Sequence, residues 1–112
     1  MCAEAVKYYL SPGHYARKVL HLTRSMRQQA GESNWQVFAE MEQERQTIIE
    51  QLFDHPDMPG ALHDIQHLLQ DVIDIDRESI ALGEAEKKRL GDYLGQRKQA
   101  RQAVKLYRHH SG

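Results

Sequence analysis

The chain has 112 residues, 40% of them hydrophobic and 28% charged, with a formal net charge of −1. That length holds one domain with one modest core and excludes a dinucleotide-binding enzyme or a closed barrel. No run approaches the ~18 apolar residues of a membrane span, and MCAEAVKYYLSPG has neither an apolar signal core nor a small-residue cleavage site. The expectation is a cytoplasmic protein without a membrane span. The single cysteine, Cys2, allows no internal disulfide.

Seven glycines, three prolines and few β-branched residues point to helices. Residues 1–10 read as a flexible N-terminus. Ser11-Pro12 supplies a cap and a first-turn proline for a first helix running to about Gln29, with Ala30-Gly31 as its stop. Its apolar stripe is Tyr15, Val19, Leu22 and Met26. Ser33 or Asn34 then caps a second helix from about Trp35 to Phe53, with Trp35, Phe38, Ile49, Leu52 and Phe53 on one face. Asp54 to Gly60 reads as a loop because it holds two prolines and a glycine. A third, long helix starts near Ala61 and reaches about Leu94. Gly95 is expected to break it, leaving a short basic helix over 96–110. The predicted architecture is all-α: an antiparallel bundle of three main helices plus this C-terminal one, forming a single domain over 1–112.

Trp35, Phe38, Ile49, Ile65, Leu69 and Val72 are expected to be buried between the second and third helices. The third helix carries Ala61, Ile65, Leu68, Leu69 and Val72 along its centre. Leu62, Ile73 and Ile80 flank that line on one side, and Ile75, Leu82 and Tyr93 on the other. At 100° per residue this stripe covers roughly 180°, whereas one packing seam needs about 100°. The helix must sit between two neighbours or keep apolar surface for a partner. Ile73, Ile75, Ile80 and Leu82 are therefore predicted to dock an amphipathic segment of another protein.

Charge is segregated. Residues 1–31 carry +4, residues 32–86 carry −12, and residues 87–112 carry +7. A basic last helix with Val104 and Tyr107 on one face, flanked by Arg97, Arg101 and Lys105, suits the acidic middle. It is predicted to act as a weakly held, regulatory cover over the docking residues, since exposed ion pairs contribute only about 0–1 kcal/mol each. Direct nucleic-acid binding is disfavoured by the overall pI of about 6.6 and the acids among residues 84–92.

Catalytic signatures are missing. There is no glycine-rich phosphate loop and no nucleophile with a paired base. His63 and His67 share a helix face, but it lies opposite the apolar line of Ile65, and no third ligand is evident. No metal, cofactor or enzymatic activity is expected. Glu42, Arg45 and Asp76 interrupt apolar faces and read as a half-buried ion network fixing helix register.

Two segments resemble the FliT family of flagellar type III export chaperones. Trp35-Gln36-Val37-Phe38-Ala39-Glu40-Met41-Glu42-Gln43-Glu44-Arg45-Gln46-Thr47-Ile48-Ile49 is similar to that family's tryptophan-led second helix. Leu94-Gly95-Gln96, continuing through Ala100 and Val104 to Tyr107, resembles its Gly-Gln break and short last helix. The likeness covers most of residues 10–107. It implies a cytoplasmic, non-enzymatic chaperone that binds the C-terminal segment of the filament-cap protein FliD and prevents premature assembly. It also implies delivery to the export ATPase complex and the export gate, with restraint of the master regulator FlhDC in some bacteria. A generic helical adaptor for an amphipathic helix is the alternative reading, and the pattern fits a monomer or a homodimer.

Overall fold

A computed structural model describes residues 10–111, apart from the side chains of Tyr107, His109, His110 and Ser111. The expectation of a flexible segment over 1–10 therefore falls, except at Leu10, outside the described residues. Among those described there are three helices and no strand: α1 (Pro12–Gly31), α2 (Trp35–Asp54) and α3 (Met58–Ser111). They divide after Ile80 into two compact units. The first holds α1, α2 and the beginning of α3; the second holds the rest of α3.

Helix α1 begins where its sequence says it should. Ser11 is the N-cap, and its hydroxyl accepts from the His14 N–H at 3.2 Å. Pro12 follows in the first turn, where its missing N–H would have had no helical partner. At the other end Gly31 is still helical, and the chain turns one step later. Ser33 takes the left-handed conformation, φ 58°, an uncommon setting for a residue with a Cβ. The Ser33 and Asn34 N–H groups donate back to the carbonyls of Ala30 and Gln29, at 3.1 and 2.9 Å. Those bonds satisfy carbonyls that the helix end leaves free. Asn34 occupies the cap position of α2, without a side-chain cap bond.

The connection before α3 is shorter than the proline count suggests. Met58, Pro59 and Gly60 belong to the helix rather than to a loop, and Ala61 N–H already donates to Asp57 O at 3.1 Å. A proline costs nothing in the first turn, where no N–H acceptor exists. His55 fastens this corner. It is buried, its Nε2 donates to Leu10 O at 2.9 Å, and its Nδ1 accepts from the Asp57 N–H at 3.0 Å. The Tyr15 ring meets its ring edge-on at 6.1 Å.

The core gathers Tyr15, Ala16, Val19 and Leu20 of α1, Ile48 and Leu52 of α2, and Met58, Ile65 and Val72 of α3. Helix α1, not α3, is the most enclosed element. Its buried positions include Tyr15, Ala16, Val19, Leu20, Thr23, Met26 and Ala30, an arc of about 140° at 100° per residue. That exceeds one packing seam, so α1 meets both neighbours. The expected α1 stripe holds for Tyr15, Val19 and Met26, while Leu22 is half-buried.

Of the six residues expected between α2 and α3, only Ile65 and Val72 are buried. Ile49 and Leu69 are half-buried at the edge of the core. Trp35 and Phe38 are also half-buried, packed edge-to-face with ring centroids 5.3 Å apart. Both lie in the first turn of α2, next to the turn, where the helix pair ends and one side meets water. Phe53, placed on the same face by periodicity, is 56% exposed.

Arg45 ties the three helices together. Its guanidinium donates from Nη1 to Thr23 Oγ1 at 3.1 Å and to Asp76 Oδ1 at 2.7 Å, and the Thr23 hydroxyl donates to Val19 O at 2.7 Å. The expected network thus exists for Arg45 and Asp76. Glu42 is exposed and stands outside it. Thr23, which the network needs, is fully buried.

Gly95 does not end the third helix, and no separate helix forms over 96–110. Residues 81–111 continue as one helix. A helical glycine costs roughly 1 kcal/mol relative to alanine, and the Gln, Arg, Lys and Ala residues that follow it favour helix enough to carry the chain through.

Candidate partner-binding surface

Within the first unit, α3 presents two distinct faces. Met58, Ile65, Val72 and Ser79 recur every seven residues and are all buried. Ala61, Leu68, Leu69, Ile75 and Asp76 are half-buried beside them. This is the seam against α1 and α2. Leu62, Ile73 and Ile80 fall within about 20° of one another and are 47%, 46% and 59% exposed. They form an apolar line with half-buried Leu69 beside it. Isolated exposed apolar residues are ordinary on any surface. Three aligned on one helix face form a strip suited to the apolar face of another helix.

The four predicted docking residues do not share one environment. Ile73 and Ile80 lie on the exposed line. Ile75 lies on the opposite flank, half-buried against the core, so part of its surface already serves the bundle. Leu82 belongs to the second unit and is half-buried there. Leu62, which periodicity places on the same flank as Ile73 and Ile80, shares the exposed line with them.

In the second unit Leu90, Tyr93, Leu94, Val104 and Leu106 are exposed, as are Arg97 and Arg101. The Arg97 guanidinium lies 6.0 Å from the centroid of the Tyr93 ring. Arg89 Nη2 donates to both carboxylate oxygens of Glu86 at 2.7 Å. Of the predicted regulatory residues, Arg97, Arg101 and Val104 are on this helix, and the Tyr107 side chain lies outside those described.

His63 and His67 are both exposed on α3. Among the described residues no three histidine, cysteine or acidic side chains stand together as a metal-binding group. No helix there is long and apolar enough to cross a membrane.

The first unit is thus a three-helix core with an aligned apolar strip on one face of α3. Residues 14–109 match the family model described as flagellar protein FliT. The chain belongs to the FliT family, a family of flagellar export chaperones rather than of enzymes. Neither a curated protein nor a solved structure matches it.

Proposed function

We propose that this protein is a cytoplasmic export chaperone that binds the C-terminal segment of the flagellar filament-cap protein FliD. Binding keeps FliD unassembled until it is handed to the export ATPase complex and the export gate. The observation that carries this reading is the exposed line Leu62, Ile73 and Ile80 in a chain whose family serves flagellar export. An amphipathic segment of the client lays its apolar side chains along that line, removing from water surface that the bundle leaves bare. Binding to FlhDC, where it occurs, draws on the same kind of contact.

The basic C-terminal residues regulate this binding. Arg97, Arg101, Val104 and Tyr107 lie in a segment with an excess of positive charge, whereas residues 32–86 are acidic. Gly91 and Gly95 weaken the helix that carries them. The expected result of deleting residues 96–112 is tighter capture of full-length FliD in a pull-down, with helicity of the remainder intact by circular dichroism. Weaker capture by the truncated chain would make the segment part of the binding site instead of its regulator.

A further inference from the structure

A second surface lies between α1 and α2, and among the described residues none that lines it comes from α3. It is an open groove of about 490 Å³. Its floor is apolar: Leu22 of α1 with Met41 and Ile48 of α2. Its α1 wall is a row of exposed basic or imidazole side chains, His14, Arg17, Lys18 and His21, and among the described residues Glu44 is the one acid that lines it.

The wall belongs to a helix with cations and no carboxylate. Helix α1 contains Arg17, Lys18, Arg24 and Arg27 and no acid at all. Arg27 approaches Glu78 at 3.6 Å. Arg17 and Lys18 have no ionic partner among the described residues. Cations of this kind normally gain from i,i+4 carboxylates on their own helix, and α1 provides none. The groove therefore combines apolar depth with a rim of net positive charge in a molecule whose net charge is slightly negative.

We propose that the α1–α2 groove docks a second protein segment, an amphipathic helix with an acidic flank. Its leucine-type side chains fill the space over Leu22, Met41 and Ile48. Its carboxylates meet Arg17 and Lys18 at the rim. A nucleic acid would leave that apolar floor unused, because its affinity comes from phosphates and stacked bases. The site is separate from the Leu62–Ile73–Ile80 line, so a client on α3 and an acidic segment on α1–α2 can bind one chaperone together.

The test uses the full chain and two fluorescein-labelled synthetic helical peptides with the same leucine face, one flanked by glutamates and the other by lysines. Anisotropy should show the glutamate peptide binding about tenfold or more tightly than its lysine twin, and weakening with added salt. R17E/K18E should cost the glutamate peptide about tenfold in affinity, and Met41→Asp should weaken both peptides. Both rim side chains are exposed, so the charge-reversed variant keeps its fold, checked by circular dichroism. Ile73→Asp should leave glutamate-peptide binding unchanged. Equal affinity for the two peptides, or a loss in Ile73→Asp without a loss in R17E/K18E, would overturn the proposal. So would tighter binding of a labelled single-stranded oligonucleotide than of the glutamate peptide. A concentration-dependent dimer abolished by R17E/K18E would assign the groove to a second copy of the chain and overturn the choice of a separate partner.

Discussion

Replacing Leu52 with alanine is expected to lower the unfolding free energy by about 2–5 kcal/mol, the range for truncating a large aliphatic side chain inside a packed core. Leu52 is 0% exposed and packs with Tyr15, Val19 and Ile65 in the common core. The truncation removes apolar burial and leaves a cavity that three helices cannot close without shifting together. Leu69→Ala makes the comparison informative. Leu69 sits at the centre of the α3 stripe by periodicity, yet it is only half-buried, so its truncation should cost clearly less. Urea unfolding of both variants gives the answer. A smaller loss for Leu52 than for Leu69 would mean that Leu69, not Leu52, lies at the centre of the core.

Arg45→Ala is the second large effect, about 1–3 kcal/mol, because it leaves polar groups half-sequestered without their partner. The Arg45 side chain is 13% exposed and that of Asp76 31%, so water offers Asp76 some compensation and the upper end of that range is not reached. Thr23 keeps its bond to Val19 O. The double variant Arg45→Ala with Asp76→Ala should lose less than the two single variants added together, since the interaction is counted only once. Glu42→Ala, exposed and outside the network, should stay within about 0.5 kcal/mol of the parent. Additive losses at Arg45 and Asp76 would show that the pair contributes nothing to joining α2 and α3.

Much of this could be read from the residues, and the failures have specific physical causes. Ser11-Pro12 marked the start of α1 because capping is local chemistry. The charged trio on apolar faces pointed to Arg45 and Asp76 because a charge facing a core needs a partner. Which helix lies innermost is not legible from stripe width alone. The hydrophobic stripe of α3 is the widest, but α1 buries small and polar residues, Ala16, Thr23 and Ala30, that a hydrophobicity pattern does not count. The surplus width of the α3 stripe was nevertheless real information, since Ile73 and Ile80 remain exposed. Ile75 was harder to place because both flanks look alike in sequence, and only the packing of the bundle distinguishes them. Pro59-Gly60 and Gly95 were read as breaks from residue type alone. In the first turn proline is harmless, and one glycine in a run of good helix formers is a cost of about 1 kcal/mol rather than a stop.

In the proposed function the exposed line of α3 holds the flagellar cap protein. Calorimetric titration of a peptide from the FliD C-terminus into the parent chain and into the variant Ile73→Asp/Ile80→Asp tests it most directly. Both side chains are about half exposed, so the variant should keep its helicity and its urea midpoint. A charge on that line must be desolvated when an apolar helix face lies on it, which should weaken the peptide by at least about tenfold, or ~1.4 kcal/mol. Tight binding by the parent and its loss in the folded variant is the predicted result. Equal binding by both would contradict the claim and move the client to another face.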